Sequence, residues 1–577
     1  MNTASSEKSQ VFFDNLISFL IATVTVILAV ISVLQIDASH TSEKANRAAQ
    51  QLSMQVTEKR ISGIMQFNHD WYGVYSRWVE GERRAISADQ ENDAAARDRY
   101  ETLRNNLSML SPLLREPYFD PEKQFINTSK YAAELYIVDA TDLLEQFSAM
   151  SKVGQHWNNV ADNHVVQLTL LAVALSLFGL SNTMTSRIRW IFVSLGGLLV
   201  LLSSVWAAVL LIDPAPAVNY EAIHFYAEGV GKSYQESYDE AIQLFDQAIR
   251  ADPEYANAYY ERGSAYYERA RKHFARGNLD LSRTDYAAAA ADYESALKAG
   301  RDDMYVNWNL GWTYYLLGDF ERARQTNERV LQERPDLVGM RLNQALVMLT
   351  EGKFDEARAT YTEALNEAAR QVGNAKNDNH EPPSSLWLYI DAGVIDLQNL
   401  YDQVNGTPKA WTQAPDLAAI HADSEQLKSF ITEQIKTIKE ASVALESTWQ
   451  LPNSTVTIQV EPFQFGHEVY DEEGNYTGFD SATSFEYGTG QVTVTFDYSG
   501  YVPRQQVLWK VYINGIEYPS YREIWTEGLE ESGNQIKYIG FGYTNSSVLS
   551  AGEYTVEVYV DSRLAQRGTF TVLEEQE

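Results

Sequence analysis

A self-similar run with a period of 34 residues occupies the middle of this chain, and no other feature limits its fold so tightly. Gly229 and Gly263 stand 34 apart, as do Gly311 and Ala345, and the 48 residues from Gly263 to Gly311 are one period plus 14. The same neighbours recur around each small residue: Ala241, Phe245, Ala248 and Pro253 after Gly229; Ala323, Val330 and Pro335 after Gly311; Ala357, Tyr361 and Ala364 after Ala345. A fixed period of this length marks a solenoid of stacked helix pairs, because one pair cannot bury its apolar face alone and three or more must stack. The small residue on the first helix of a pair lets the second approach, and proline ends the second helix because it cannot continue it. Four pairs are expected, Ala222 to Asp252, Ala256 to Gly300, Met304 to Asp336 and Val338 to Arg370.

This pattern resembles the tetratricopeptide repeat, and the resemblance implies binding of other proteins with no catalysis. The insertion lies within the second repeat, in the basic stretch YERARKHFARGNLDLSRTDY from Tyr267 to Tyr286. It reads either as two helices each lengthened by two turns or as a contact site. In such a solenoid the first helices line the concave groove. Their groove-facing positions here are Tyr226, Tyr260, Tyr267, Trp308, Trp312 and Tyr315, with Leu342 and Leu346 in the last repeat. Lys and Arg are missing from that set, a departure from relatives that clamp a peptide's terminal carboxylate. The expectation is an aromatic groove for an apolar or Pro-rich extended segment, unless the C-terminal helices of the chain already fill it.

Three apolar stretches make a membrane protein. Leu16–Leu34 is 19 residues without a charge and Ile191–Ile212 is 22, enough to cross about 30 Å of hydrocarbon. Val165–Leu180 is shorter but also uncharged, and forms a hairpin with Ile191–Ile212 across a ten-residue connection. The first stretch is too long for a typical signal peptide and lacks a small-x-small cleavage site, so it reads as a retained anchor. Arg187 and Arg189 place the connection in the cytoplasm, and the acidic stretch after Ile212 is exported. Lys44, Arg47, Lys59 and Arg60 beyond the first span argue the other way. The expected organisation is a short cytoplasmic tail and first span over 1–35, an extracytoplasmic helical domain over 36–164, and the hairpin over 165–212. The solenoid follows over 213–402, with four repeats and a degenerate fifth carrying Gly393, and then a capping helix over 403–450.

In the outer segment, Phe67, Trp71, Val74, Tyr75 and Trp78 form a helical stripe, expected to pack as an aromatic seam against a second helix at Ala132–Met150. The layout of one span, an aromatic-rich helical segment and a closing span pair is similar to an uncharacterised bacterial membrane family. That resemblance implies an inner-membrane anchor and no known activity. In the capping helix Leu427, Phe430, Ile431, Ile435, Ile438 and Val443 mark the apolar face.

Beyond Pro452 the period changes from 3.6 to 2. Val492, Val494, Phe496 and Tyr498 alternate with polar residues, as do Tyr554, Val556, Val558 and Val560, and Asn514-Gly515 is a hairpin signal. About seven strands around Trp509 describe a β-sandwich over 452–577. Its ending, AGEYTVEVYVDSRLAQRGTFTV, resembles closing strands of immunoglobulin-like modules on exported bacterial proteins, without their Cys pair.

Chemistry is harder to find. Cysteine is absent, which excludes disulfides and thiolate sites. Gly231-Lys232-Ser233 ends like a phosphate loop but has Tyr226 where the upstream glycine belongs, and H-E-x-x-H, G-x-S-x-G and G-x-G-x-x-G do not occur. His69, His156 and His164 do not assemble a metal site. No catalytic residue, cofactor or metal is therefore assigned. Met1–Ile212 carries 17 Lys and Arg against 21 Asp and Glu, and the remainder 29 against 57, a surface that repels nucleic acid. The expected function is a membrane-anchored protein-interaction scaffold presenting repeats and sandwich outside the inner membrane. The alternative is an accessory or sensor protein of an envelope enzyme or secretion system, with the sandwich binding polysaccharide or another ligand.

Overall fold

The computed structural model describes residues 3–573 apart from 91, 121–124, 185–186, 378–381, 383, 409–411, 450–457, 471–475, 487–488, 502–506, 514–515, 518–522, 526–529, 541–548, 550 and 561–562. Its N-terminal part runs through α1 (Thr3–Asn68), a π-helical turn (His69–Tyr75), α2 (Ser76–Gln90), α3 (Ala94–Leu110), β1 (Phe119–Asp120), β2 (Phe125–Ile126), α4 (Thr128–Ala132), a second π turn (Ala133–Ile137), α5 (Val138–Thr183) and α6 (Arg189–Ile212). The chain divides into two compact units, Met1–Phe67 with Glu134–Val230, and Asn68–Ala133 with Gly231–Glu577.

In the first unit the buried residues of α1 recur every seven positions: Ile17, Val24, Ile31, Ala38 and Ala45 in one row, Ser42, Ala49 and Val56 in another. A seven-residue repeat is the seam of two supercoiled helices, and here the partner is α5. Ser42 Oγ donates to the Gly154 carbonyl at 2.8 Å, and Lys59 pairs with Asp139 at 2.6 Å. Ile17, Val24 and Ile31 share a core with Leu171 and Phe178 of α5 and Val193 of α6. Three helices are long and apolar enough to cross a membrane. At one end of them Arg189 donates to Gln10 at 2.9 Å and lies 4.0 Å from the Phe13 ring, with Trp190 edge-on to Phe13. An Arg and aromatic cluster of that kind sits well at a membrane surface.

In the second unit Val74 and Trp78 of the aromatic stripe lie against Leu107 of α3, Leu114, Phe119 and Ile126. The stripe passes through the π turn at His69–Tyr75, whose wider turn departs from the 3.6-residue period of a regular helix.

After α7 (Tyr220–Tyr234) and α8 (Tyr238–Ala251) the solenoid runs through three antiparallel pairs, α9 (Ala256–Ala275) with α10 (Leu279–Lys298), α11 (Met304–Leu317) with α12 (Phe320–Glu333), and α13 (Val338–Thr350) with α14 (Phe354–Asn377). The inserted residues lengthen α9 and α10 to 20 each, against 14 in α11 and α12. Two more helices follow, α15 (Ser384–Val404) and α16 (Ser424–Trp449). On α16 the buried residues are Leu427, Phe430, Ile431, Ile438 and Leu445, whereas Val443 is exposed. The buried face thus continues past Ile438 through Ser442 to Leu445 and leaves Val443 outside it.

The C-terminal strands form two sheets. One runs β11 (Ser532–Gly540), β7 (Gln491–Ser499), β4 (Gln464–Tyr470), β5 (Tyr476–Ser481), with β3 (Gln459–Val460) on β7. The other runs β10 (Glu523–Trp525), β8 (Val507–Ile513), β12 (Gly552–Val560), β13 (Arg563–Val572), β6 (Ser484–Phe485), with β9 (Ile516–Glu517) on β8. Strand alternation sends Val492, Val494, Phe496, Trp509, Val511, Tyr554, Val556 and Val558 into one shared core. Ile513 pairs with Ile516 on either side of Asn514-Gly515, which lies outside the described residues. Eleven strands are described where about seven were expected, because several are only two or three residues long.

Trp509 lies 6.0 Å from Phe496, nearly parallel to it. Trp509→Ala is expected to cost about 3–5 kcal/mol, seen as an earlier unfolding transition of the strands in thermal denaturation while the helical transition holds.

Candidate protein-binding groove

The groove is built on α9, α11 and α13, and its shape follows from the polar clamps behind it. Arg262 on α9 donates to both Asp292 oxygens at 2.7 and 2.6 Å and reaches Asp246 of α8 at 2.5 Å. Seven residues on, Arg269 does the same with Asp285 at 2.8 and 2.7 Å and Asp239 at 2.5 Å. Each guanidinium therefore ties three consecutive helices. Burial pushes the Asp292 carboxyl up, and Arg262 pulls it back only in part. Removing Arg262 leaves that carboxylate buried and unpaired, so Arg262→Ala is expected to lower stability by about 3–5 kcal/mol, measured by chemical denaturation, with Asp292→Asn in the same chain restoring part of the loss.

Much of the basic stretch from Tyr267 to Tyr286 is held internally in the same way. Arg271 pairs with Glu268 at 2.8 Å, and Lys272 with Glu236 at 2.8 Å while lying 4.7 Å from the Tyr238 ring. These groups, with Tyr286, Thr412 and Gln413, line a cavity of about 230 Å³. Gly231-Lys232-Ser233 lies inside the helix α7, so it forms no phosphate loop.

The aromatic positions expected to line the groove are largely covered by the chain itself. Tyr226 and Tyr315 are buried, as are Leu342 and Leu346. Asn309 donates to the Tyr260 hydroxyl at 3.1 Å, and the Arg301 guanidinium lies 3.8 Å from the Tyr260 ring. The Tyr267 hydroxyl donates to Gln413 Oε1 at 2.8 Å, and Trp312 Nε1 donates to Tyr267 Oη at 3.0 Å. Burial pushes the Tyr267 hydroxyl well above the usual range. Trp308 packs on Tyr389 of α15 with centroids 5.2 Å apart.

Two pieces of chain do the covering. The helix α15 lies across α13 and α11: a Cβ at Gly339 would meet Trp308 at 2.4 Å and Tyr389 at 2.9 Å, and one at Gly393 would meet Leu342 at 2.9 Å. The segment after α15 then runs past the ends of the first helices. Gly318 ends α11 with φ of 76°, a left-handed cap that glycine adopts freely, and Ala419 stands against it. The His421 backbone N–H donates to the Thr350 carbonyl at 3.0 Å, and its ring meets Phe320 edge-on. Residues 412–422 thus strap the groove's edge. The helix α15 had been legible as a degenerate repeat with Gly393, but its placement across the first helices, and the strap itself, had no periodic signal.

One ionisable group sits badly in this arrangement. Asp396 of α15 comes near the hydroxyls of Tyr315 and Tyr361, both buried and without a hydrogen-bond partner. Burial raises its carboxyl from the ordinary 3.8 to about 7. A carboxyl raised on folding stabilises the fold in its neutral form; that contribution is full below the ordinary value and is lost as pH rises to the folded one. The denaturation midpoint is therefore expected to fall between pH 4 and 7, at up to about 1.4 kcal/mol per pH unit for one proton, and Asp396→Asn is expected to flatten that slope.

Among the described residues no group of three or more His, Asp or Glu could hold a metal ion. Comparison with known proteins supports the repeats. A model described as TPR repeat matches residues 234–269, and one described as tetratricopeptide repeat matches residues 274–338. The chain therefore carries tetratricopeptide repeats. No curated protein matches it. Among solved structures, the Pseudomonas fluorescens alkylpurine DNA glycosylase AlkC, bound to DNA containing an abasic site analog, is 9% identical. The match covers 76% of this chain and 99% of that one, with a TM-score of 0.24, too low to bear on fold or function.

Proposed function

We propose that these tetratricopeptide repeats serve a protein-interaction scaffold anchored in a bacterial inner membrane, with the solenoid and the strands outside the cytoplasm. The single observation that carries the reading is the tandem of repeats on a chain that also holds three helices fit to cross a membrane. Repeats of this kind generally bind proteins through the concave face, and here that face is aromatic. An extended apolar or Pro-rich partner segment takes it by displacing the strap, whose hold on Tyr267 and Trp312 is the Gln413 amide. The strap, TQAPDLAAI over 412–420 with small and apolar residues around Pro415, shows what chemistry the surface accepts. The strands, immunoglobulin-like in this reading, space or bind a second partner.

A photo-crosslinking residue in place of Trp312, with Gln325 on α12 as control, tests the surface in membranes of the source organism. Protein adducts specific to position 312, and more abundant with Gln413→Ala, are the expected result. The same adducts from both positions, or none from 312 with the strap loosened, would refute the groove.

Orientation is tested separately, because a chain without cysteine accepts single probes cleanly. With an impermeant maleimide on intact cells, Ala217→Cys should label and Thr183→Cys should label only after lysis; labelling at Thr183 alone reverses the arrangement.

A further inference from the structure

The seven-residue rhythm of α1 has a second face. Opposite the seam with α5 runs a row at the same spacing, Phe12, Phe19, Val26, Val33, His40, Arg47, Met54 and Ile61. Phe12 to Val33 fall in or beside the span, where lipid covers them. Met54 and Ile61 do not: Met54 lies 20 residues beyond Leu34, about 30 Å further along the helix. There Met54 is 64% exposed, Ile61 55%, Ile64 46% and Met65 67%, an apolar stripe in water on one side of one helix. Stripes of that kind mark interaction surfaces.

We propose that this face of α1 pairs with the same face of a second copy of the chain, forming a parallel two-fold dimer. The proposal rests on the membrane anchoring proposed above, which also selects the occupant. Two copies held in one bilayer in the same orientation run parallel at equal height, so Met54 meets Met54 and Ile61 meets Ile61 without any search along the axis. In that register Met54, Thr57, Ile61 and Ile64 take the alternating three-and-four spacing of a coiled-coil seam. The polar layer between lipid and stripe is compensated, since Arg47 pairs with Glu43 on its own helix. Length argues in the same direction. The stripe spans under two heptads, where a free coiled coil needs about three or four, so it suffices only between chains that the bilayer already holds side by side. A soluble partner would meet this stripe without that help.

Single cysteines test the pairing in the full-length protein in native membranes. Met54→Cys and Ile61→Cys are expected to form disulfide-linked dimers on mild oxidation several-fold more readily than Gln55→Cys and Arg60→Cys, which are also exposed but sit off the stripe. Equal yields at the four positions, no dimer at 54 and 61, or products of another protein's mass would overturn the proposal. In lipid nanodiscs the unmodified chain should be dimeric by mass photometry and the Ile61→Glu, Ile64→Glu variant monomeric; a monomeric unmodified chain, or a dimeric variant, contradicts it. Alkaline carbonate extraction separates the two readings. Release of the chain refutes the anchoring, whereas a retained chain that does not dimerise refutes the pairing alone.

Discussion

Alanine's single methyl sets how closely the helices of the solenoid nest, and the remaining interactions of the repeats are arranged around that spacing. Ala241, Ala248, Ala289, Ala296, Ala323, Ala357 and Ala364 are fully buried, and Phe245, Tyr293, Tyr315 and Tyr361 fill the layers between them. A larger residue at the crossings would hold the helices apart and leave the aromatics in voids. Close nesting also dictates the polar interactions. Arg262 and Arg269 can each reach carboxylates on two neighbouring helices only because those helices are near.

The same aromatic supply explains why the chain covers its own groove. A concave face of Tyr and Trp left to water would expose a large apolar patch with hydroxyl and indole groups to satisfy. The helix α15 answers the apolar part through Trp308 with Tyr389 and Leu342 with Gly393, and Gln413 answers the polar part. Asp396 is the cost of that seat, a half-buried carboxyl that its surroundings push upward. The first unit uses other means. Its helices are matched by a heptad rather than by alanine nesting in repeats, and the period that seats α1 on α5 also sets the outward row.

Much of this was legible in the residues. Gly229, Gly263, Gly311 and Ala345 locate the repeats because helix pairing is local, and the alternation at Val492–Tyr498 locates a strand for the same reason. Contacts between Gln413 and Trp312 are 101 residues apart, and those between Gln413 and Tyr267 are 146 apart. No period connects them, so the strap could be raised only as the possibility that C-terminal residues fill the groove. The π turn at His69–Tyr75 was not legible for another reason: a helical stripe assumes 3.6 residues per turn, and nothing in HDWYGVY announces a wider one.

Backbone hydrogen exchange of the membrane-embedded protein bears most directly on the self-covered groove. The His421 and Ala422 amides, both donating to the Thr350 carbonyl, should exchange as slowly as the body of α13. Protection should drop at those two amides when Gln413 is replaced by alanine. Exchange at the rate of an unstructured peptide in the unmodified chain would contradict the account and leave the aromatic face open.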